Sequence, residues 1–495
     1  MSKRPIVLNF SGNDSAGFAG LAMDVRTQAA MGVHSASVIT ANTAQNNASV
    51  VSINAVQEAV FADQIKANER LQVNVVKAGL LVDRYQLDVL GDFLNKKNTP
   101  LVLDPVLKSS SGTAFTDLDF LDRLKQVLLP HCTLITPNID EAERLTGISI
   151  NTADDFIAAS KQLLTLGANA VLLKGGHFAS AKNTLAQDYF SDGELSFWLT
   201  THRVQTNNKR GTGCALSSAI ASAIALGYSL YDAVVIGKMA ISQGLREAYG
   251  LLGGDNNHGP VNITCFPNQQ VDLPLLTNQW LNSLNVDCFP ECNQPRLGLY
   301  PVVDRTQWIQ TLIPTGISTI QLRVKDLQGK ALEEEIQRAI RVCQENNIRL
   351  FVNDYWSLAI RYGAYGVHLG QEDLADADID QIKQAGLRLG ISTHCHYEVA
   401  RAHSYRPSYI ACGPVYHTTT KDMPWIPHDL AGLSYWKQVL DYPLVAIGGI
   451  NDDRFDGVAA VNVDSIAMIT AITLANDPVA IAKQFKHRFE AACCE

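Results

Sequence analysis

Residues 349–370, RLFVNDYWSLAIRYGAYGVHLG, hold an apolar run, a helix-compatible stretch and a second apolar run. Eight such runs recur through the C-terminal part of the chain. Runs that are apolar at nearly every position are typical of parallel strands buried on both faces. Eight strand–helix units predict a closed (β/α)₈ TIM barrel. The runs are Leu297–Val303, Ser318–Arg323, Arg349–Asp354, Gly366–Gly370, Leu387–Thr393, Tyr409–Val415, Pro443–Ile450 and Ser465–Thr470.

The first part of the chain also alternates strands with helices. It contains one hairpin, in which Asp188–Phe190 and Leu195–Thr200 are joined through an Asp-Gly turn. The pattern predicts an α/β domain with an open, mostly parallel sheet, helices on both faces, and ligands beyond the carboxyl ends of the strands. The other strand candidates are Pro5–Ser11, Ser35–Thr40, Val75–Leu80, Pro100–Val106, Cys132–Pro137 and Ala170–Gly175.

A chain of 495 residues is too long for one hydrophobic core. Hydrophobic periodicity weakens between Gly253 and Pro295, where Gly, Asn, Pro and Gln dominate. We therefore predict a first domain over residues 1–260, a linker over 261–295 with a short helix near Leu275–Leu284, and a barrel over 296–495.

The formal charge of −9 argues against a nucleic-acid or anionic-membrane surface, so anionic small molecules must be held by local sites. The apolar run Ile6–Phe10 is too short for a signal-peptide core, and no 18-residue apolar stretch follows, which predicts a cytoplasmic protein without a membrane contact. The ten cysteines are expected to be reduced thiols. The sequence leaves open whether the protein forms a homo-oligomer.

The sharpest local motif of the first domain is Gly211-Thr212-Gly213-Cys214, followed by a helical run rich in Ala and Ser. Glycines at a helix start let the backbone approach a ligand, and the free N–H groups there attract anions. A helix N-terminus also lowers the pKa of a thiol, so Cys214 is expected to act as a base or to stabilise charge.

Three further strand ends carry polar residues. Lys174 closes a strand beside Gly175 and Gly176 and suits a nucleotide phosphate, while Asn138 and Glu141 offer oxygen ligands for hydrated Mg²⁺. Asp104 ends another strand. Together with the glycine motif, these residues indicate a phosphotransferase that uses ATP and Mg²⁺.

Over about residues 5–250 the chain resembles the hydroxymethylpyrimidine (phosphate) kinases of thiamine synthesis, which have a ribokinase-like fold. The resemblance implies that Asp24 and Gln45 hold the aminopyrimidine, that Lys174 binds the ATP phosphates, and that Cys214 lies at the reacting oxygen. The motifs that carry it are Gly12–Ser15, Gly20–Asp24, Thr40–Gln45, Asp104–Val106, Thr136–Asn138, Lys174–His177 and Gly211–Cys214.

Two departures from that family leave alternatives open. Phe18 stands where the family usually has glycine, and Arg210 stands where it usually has histidine. The first domain could instead be a pyridoxal-type vitamin kinase, against which Asp24 and Gln45 argue. It could also be a pyrimidine-binding module without catalysis, against which the catalytic-type residues Lys174 and Cys214 argue.

In the barrel, Gln321, Arg323 and Lys325 follow one another at a strand's period of two and fall on one side. Two cations at one place suit a diphosphate. Asp354 and Asp373 end adjacent strand units, and a hard cation would relieve the repulsion between the two carboxylates. We therefore predict that both bind Mg²⁺.

Further strand ends predict a second anionic site. Ser392 ends the fifth strand, and the seventh ends in Gly448 and Gly449. Phosphate in such barrels is commonly held by the loops after strands seven and eight, where Gly449 and Thr470 lie. A diphosphate on one side and a monophosphate on the other indicate a condensation of two substrates.

Over most of residues 296–485 the chain is similar to thiamine-phosphate synthase. That similarity implies that diphosphate leaves the pyrimidine methylene and that the thiazole nitrogen captures the resulting carbocation, with Lys421 and Mg²⁺ stabilising the leaving group. It assigns the pyrimidine diphosphate to Gln321, Arg323, Lys325, Asn353, Ser392 and Lys421, and the thiazole phosphate to Thr418, Thr420, Gly449, Ile469 and Thr470.

The two resemblances predict one bifunctional enzyme of thiamine biosynthesis. The first domain would convert hydroxymethylpyrimidine phosphate to the diphosphate with ATP, and the barrel would condense that diphosphate with thiazole phosphate. The product of one site would be the substrate of the other, so the fusion is chemically coherent.

Overall fold

The computed structural model describes residues 3–46, 49–107, 117–176, 178, 184–251, 258–284, 286–294, 296–418 and 426–492. The chain divides into two compact units. The first comprises Met1–Pro267 and Val271–Leu284, and the second comprises Asn268–Gln270 and Asn285–Glu495.

The first unit is built on a ten-stranded sheet, counted over the described residues, in the order β10-β9-β8-β7-β6-β5-β4-β1-β2-β3. Six neighbouring strands, β7, β6, β5, β4, β1 and β2, pair in parallel, whereas β3 at one edge and β8 to β10 at the other pair antiparallel. The predicted open, mostly parallel sheet is confirmed. Its strands are β1 Ile6–Asp14, β2 His34–Gln45, β3 Val50–Ala55, β4 Val75–Ala78, β5 Leu101–Leu103, β6 Cys132–Ile135, β7 Val171–Lys174, β8 Leu185–Ser191, β9 Ser196–His202 and β10 Leu275–Thr277.

The helices of this unit cover the sheet, and the central strands are buried because of them. All four residues of β4 are buried, as expected for a strand covered on both faces. The helices are α1 Gly20–Ala30, α2 Glu58–Asn68, α3 Arg84–Lys97, α4 Leu118–Val127, α5 Ile139–Thr146, α6 Ala153–Thr165, α7 Thr212–Ala225 and α8 Leu230–Arg246.

Alternation along β1 and β4 sorts apolar from polar side chains. Leu8, Phe10 and Val76 belong to the large apolar cluster of the unit. The alternate positions include Ser11 and Lys77, which are buried and polar and which bond to the helical residue Asp24. One side of the sheet is therefore a hydrophobic core, and the other carries charged groups.

The helix predicted near Leu275–Leu284 is wrong. Leu275, Leu276 and Thr277 form β10, which pairs antiparallel with β9. The two leucines are buried in this sheet, and a long-range partner strand decides the conformation of such a short apolar run more strongly than its own composition does. The edge strand β3 was also not predicted.

The second unit is a closed barrel of eight parallel strands in sequence order, as predicted. Every strand lies inside its predicted run. Two of the eight end where their runs end, and the other six stop one to three residues earlier, because the last residues of those runs belong to the loops. The strands are β11 Gly298–Val303, β12 Thr319–Leu322, β13 Arg349–Asn353, β14 Gly366–Leu369, β15 Arg388–Thr393, β16 Tyr409–Cys412, β17 Leu444–Ile447 and β18 Ser465–Met468.

Helices follow the barrel strands and complete the (β/α)₈ arrangement. Across the described part of the chain, no helix has the length and apolar character needed to cross a membrane. The helices are α9 Thr306–Leu312, α10 Gly329–Glu345, α11 Trp356–Tyr362, α12 Asp373–Asp376, α13 Ile379–Gln384, α14 His396–Ser404, α15 Asp429–Val439, α16 Asp452–Ala459, α17 Thr470–Thr473 and α18 Pro478–Ala492.

Aromatic rings fill the barrel interior. Phe351 and Tyr409 contact each other with ring centroids 5.1 Å apart. A Cβ atom at Gly366 would lie 2.5 Å from the Phe351 ring, and one at Gly390 would lie 2.1 Å from the Tyr409 ring. The two glycines are thus required by packing, since any side chain there would displace a ring.

Candidate active sites

In the first unit, four predicted residues meet where β5, β7 and α7 come together. Lys174 Nζ lies 2.8 Å from Asp104 Oδ1 and 4.0 Å from Glu141 Oε2. A Cβ atom on Gly213 would lie 3.2 Å from Asp104 Oδ2 and 3.4 Å from Lys174 Nζ. The glycine therefore lets the start of a helix approach a lysine and two carboxylates closely.

The pKa of Lys174 is raised although the side chain is largely buried. Burial alone would lower it, but the charges of Asp104 and Glu141 and the hydrogen bond to Asp104 outweigh that effect. Lys174 consequently keeps its positive charge at neutral pH, as a phosphate-binding group requires.

Asn138 and Glu141, the predicted magnesium residues, form the capping box of α5. The Asn138 side chain accepts a hydrogen bond from Glu141 N at 3.0 Å, and Glu141 Oε2 accepts one from Asn138 N at 2.8 Å. The cap fixes both side chains beside Lys174. It also occupies an oxygen of each, so these residues reach a hydrated cation through their remaining lone pairs or through water.

Gly211 is the N-cap of helix α7, and its φ of 78° is in the left-handed region that favours glycine. A Cβ atom there would also lie 2.3 Å from Phe18 O. The turn from Gly211 leaves the backbone N–H groups of Thr212, Gly213 and Cys214 in the first turn of a 14-residue helix. Free N–H groups at a helix start attract anions, and here they lie next to Lys174.

Burial raises the pKa of the Cys214 thiol to about 12, although the neighbouring Lys77 charge opposes the shift. The expected lowering by the helix N-terminus is therefore wrong, because desolvation of the thiolate is the larger effect. The thiol is protonated at neutral pH. It can donate a hydrogen bond to a reacting oxygen but is not suited to remove its proton.

Asp24 lies in a buried hydrogen-bond network and not on an open surface. Its side chain is fully buried, and its oxygens accept from Lys77 Nζ at 2.9 and 3.0 Å, from Ser11 Oγ at 2.6 Å and from Ser218 Oγ at 2.8 Å. A direct contact between Asp24 and a pyrimidine would require part of this network to open.

Lys77 is the residue of this site that the sequence analysis missed. Burial would lower its pKa, but the charges of Asp24 and Asp104 and the hydrogen bond to Asp24 outweigh that effect, so a charged ammonium group lies inside the unit. A signal was available, because Lys77 is the one charged residue of the strand Val75–Ala78. A charge within a fully buried strand is rare and indicates function or an ion pair.

The other predicted residues of this unit lie around the cluster. Gln45 ends β2, where its backbone N–H donates to Ser15 Oγ at 3.2 Å. Over the described residues, Gln45 makes no hydrogen bond to the Lys174 cluster. Phe18 is 8% exposed and packs its backbone against Gly211, and the backbone of Arg210 pairs with Gly259.

In the barrel, Asp354 and Asp373 are close together, as predicted. Lys325 Nζ lies 2.5 Å from Asp354 Oδ2, and Asp373 Oδ2 accepts from Gly370 N at 3.2 Å. Burial raises the pKa of Asp373, and the charge and hydrogen bond of Asp354 raise it further. Two carboxylates that repel each other beside one lysine are an arrangement that a divalent cation stabilises.

A chain of hydrogen bonds runs through the barrel interior to Ser392. Tyr300 OH and Tyr409 OH are 2.9 Å apart, Tyr409 OH is 2.7 Å from His368 Nδ1, and His368 Nε2 is 2.8 Å from Ser392 Oγ. Gln321 is 5% exposed and its side chain hydrogen bonds to both tyrosines. Gln321 and Ser392 are thus linked through three buried residues to which the sequence analysis gave no role.

Strand register brings the remaining barrel residues to the same end. Asn353 pairs with His368, and Arg323 follows the last paired residue of β12. The loops after β16 and β17 touch, because a Cβ atom on Gly449 would lie 2.7 Å from Tyr416 O. Thr418, Ile469 and Thr470 follow their strands at this end, whereas Thr420 and Lys421 lie outside the described residues.

Two families match the two units. Residues 14–262 match phosphomethylpyrimidine kinase, and residues 299–472 match thiamine monophosphate synthase. Among solved structures, a pyridoxal kinase from Staphylococcus aureus in complex with pyridoxal aligns with 56% of this chain and 98% of its own at a TM-score of 0.50 and 24% identity. This likeness supports the ribokinase-like fold alone.

Two curated relatives extend the match. A thiamine-phosphate synthase of Photorhabdus laumondii is 56% identical over 37% of this chain and 85% of its own length. A protein of Oryza sativa subsp. japonica named as a probable thiamine biosynthetic bifunctional enzyme, chloroplastic, is 32% identical over 94% of this chain and 86% of its own. The chain therefore belongs to the bifunctional enzymes of thiamine biosynthesis, which join a phosphomethylpyrimidine kinase to a thiamine-phosphate synthase.

Proposed function

We propose that the first unit transfers the γ-phosphoryl group of ATP to hydroxymethylpyrimidine phosphate at the start of α7. The observation that carries the proposal is the convergence of Lys174, Asp104 and Gly213 within hydrogen-bonding or van der Waals distance. A lysine beside free helix N–H groups suits a phosphate, and the adjacent carboxylates suit the Mg²⁺ that accompanies ATP.

The residues of this site would act by position and charge. An oxygen of the pyrimidine phosphate attacks the γ-phosphorus, and the bond from that phosphorus to ADP breaks. The N–H groups of Gly213 and Cys214 and the ammonium group of Lys174 would stabilise the charge on the transferred group. The protonated Cys214 thiol would donate to the reacting oxygen, and Asp24 would hold Lys77 beneath it.

In the second unit, the pyrimidine diphosphate would bind between Arg323, Lys325 and Ser392. The bond from the pyrimidine methylene to the diphosphate breaks, and the thiazole nitrogen captures the carbocation. Arg323, Lys325 and Lys421 would stabilise the leaving diphosphate, which is the main electrostatic demand of this step. Thr418, Thr420, Gly449, Ile469 and Thr470 would hold the thiazole phosphate, and Gln321 and Asn353 complete the proposed pyrimidine site.

Asp354 and Asp373 fit Mg²⁺, since they are oxygen ligands, and burial together with the charge of Asp354 raises the pKa of Asp373. Within the described residues, no group of three or more His, Cys, Asp or Glu side chains forms a complete metal cage. Two carboxylates with water and substrate oxygens suffice for Mg²⁺, which commonly keeps its remaining ligands from those sources. When bound, the ion would neutralise charge on the leaving diphosphate.

The test is a coupled assay of the full chain with hydroxymethylpyrimidine phosphate, thiazole phosphate, ATP and Mg²⁺, followed by detection of thiamine phosphate. Cys214→Ala and Asp354→Ala are compared with the wild type. We expect Cys214→Ala to lose product and to regain it when the pyrimidine diphosphate is supplied. Asp354→Ala is expected to stay inactive in both conditions while it still consumes ATP.

Wild-type protein that forms product only from supplied diphosphate would contradict the kinase assignment and favour a binding module. Turnover of pyridoxal but not of the pyrimidine phosphate would favour the vitamin-kinase alternative. We also propose a cytoplasmic location for this chain. The rice relative, by contrast, is named as chloroplastic. Fractionation of source cells tests the location.

A further inference from the structure

The end of the first unit lies beyond the region that matches the kinase family, which stops at residue 262. This end segment, Val271–Leu284, contains β10 and falls within the predicted linker. Leu276 of β10 pairs with Leu199 of β9, so the segment adds a strand to the kinase sheet. In space it is part of the kinase unit.

Two sets of polar contacts hold the end segment in place. Arg246 of α8 donates from Nε to Asp272 Oδ1 at 2.9 Å and from Nη2 to Asp272 Oδ2 at 2.6 Å, and Asp272 is fully buried. Gln187 of β8 donates to Leu281 O at 2.8 Å and accepts from Leu281 N at 2.9 Å. The bidentate ion pair and the paired amide contact fix the segment near both of its ends.

Trp280, between these anchors, packs its ring against three aromatic residues of the kinase unit. Its ring centroid is 5.2 Å from that of Phe178 at 78°, 5.1 Å from that of Trp198 at 90°, and 6.1 Å from that of Phe156. Edge-to-face contacts of this kind favour one ring orientation over others. Trp280 thereby limits the positions that Phe178 can take.

Phe178 and Phe156 both contact the turn that directly follows Lys174. Phe178 N donates to Gly175 O at 2.8 Å, and a Cβ atom on Gly175 would lie 3.2 Å from the Phe156 ring. Gly175 N in turn donates to Asp188 Oδ1 at 2.9 Å. The backbone next to Lys174 therefore lies against the Phe156 ring and hydrogen bonds to the backbone of Phe178, and Trp280 packs against the rings of both phenylalanines.

We propose that Trp280 is a positioning residue of the kinase site, which acts through Phe178 to hold Gly175 and Lys174 in place for the phosphates of ATP. The inference rests on the proposed assignment of Lys174 to those phosphates. It makes the end segment, which follows the kinase family region, a working part of the kinase. The barrel is then joined to the kinase through a segment that the kinase itself requires.

The experiment measures kcat and KM for ATP with hydroxymethylpyrimidine phosphate in the full-length Trp280→Ala variant. We expect KM for ATP to rise by about threefold to tenfold, the effect of losing one or two aromatic contacts, and the KM for the pyrimidine to stay within about twofold of the wild type. Trp280→Phe keeps a ring and should restore most of the ATP affinity. The synthase rate with supplied diphosphate serves as the control for an intact barrel.

Phe266→Ala is the matched control, because Phe266 is an aromatic residue before the same segment and stacks on Tyr228 with centroids 5.8 Å apart. It should leave KM for ATP unchanged. If Trp280→Ala yields too little folded protein, Trp280→Leu with calorimetric titration of ATP takes its place. An ATP affinity equal to that of the wild type, or equal losses in Trp280→Ala and Phe266→Ala, would overturn the inference. Absence of kinase turnover in the wild type would instead refute the proposed function.

Discussion

At the scale of single residues, the ionised Asp373 carboxylate lowers the stability of the barrel and is also proposed to bind Mg²⁺. Its pKa is raised by burial and by Asp354, so the ionised form destabilises the fold once the pH exceeds that pKa. Asp373→Asn should therefore increase the free energy of unfolding at neutral pH by roughly 0.5–1 kcal/mol and abolish Mg²⁺-dependent synthase turnover. Urea unfolding and the synthase assay measure the two effects.

The predicted destabilisation by the ionised Asp373 carboxylate can be tested by measuring the stability of both proteins as a function of pH. As the pH falls through the raised pKa of Asp373, the wild type takes up a proton and loses the repulsion, so its stability should approach that of Asp373→Asn. A difference between the two proteins that grows as the pH falls would contradict this account. Kinase turnover in the same chain should be unchanged and reports that the first unit is intact.

Tyr409 is expected to orient Ser392 through His368. Tyr409→Phe removes the 2.7 Å hydrogen bond to His368 Nδ1. We expect synthase kcat to fall about tenfold, which corresponds to the roughly 1.4 kcal/mol of one hydrogen bond. Tyr442→Phe is the matched control, because it removes a 2.9 Å bond to His403 Nδ1 elsewhere in the barrel. Equal losses in both variants would refute the orienting role.

Lys77 and Asp24 form an ion pair with no exposed side-chain surface. Lys77→Met leaves the Asp24 carboxylate buried without its cation, which should cost about 3–5 kcal/mol in stability and remove kinase turnover. The double variant Lys77→Met, Asp24→Leu should recover much of the stability but not the activity. Chemical unfolding measures the stability of the two variants. A double variant no more stable than the single one would show that the unpaired Asp24 carboxylate is not the cause of the loss.

At the scale of secondary-structure elements, helix α7 depends on glycine at its start. Gly211→Ala places a Cβ atom at a φ of 78° and 2.3 Å from Phe18 O, so strain and a clash combine. Gly227→Ala, just after the same helix, has a φ of 94° and no heavy atom within 4 Å, so it should cost only about 1–2 kcal/mol of strain. We expect Gly211→Ala to be the less stable variant and to lose kinase turnover. Thermal unfolding measures the stability, and an assay of ATP consumption measures the turnover.

The barrel strands were predictable one by one, whereas the edge strands β3 and β10 were not. Most barrel strands are rich in apolar residues and are followed by a helix, so local composition and repetition agree. β10 has three residues, Leu275–Thr277, and exists because β9 offers it backbone partners. A short run of this kind has no local signal that separates strand from helix.

At the scale of the whole molecule, each unit should respond to its own ligands. Hydrogen exchange of the full chain with ATP and Mg²⁺ should slow exchange in β7 and the first turn of α7, since bound ligand suppresses local opening. Pyrimidine diphosphate and Mg²⁺ should slow exchange after β13 and β14 instead. Protection of the barrel strand ends by ATP, or no response of those strand ends to the pyrimidine diphosphate, would contradict the separate site assignments.

The sequence by itself determined the two architectures and which polar residues fall at the strand ends, because alternating apolar runs and polar strand ends follow from local chemistry. It also indicated Asp354 beside Asp373, since adjacent parallel strands end at one edge. Only the tertiary structure decided the protonation of Cys214, the burial of Asp24 against Lys77, the chain from Tyr300 to Ser392, and the placement of Trp280. These depend on desolvation and on contacts between residues far apart in the chain, which no local pattern encodes.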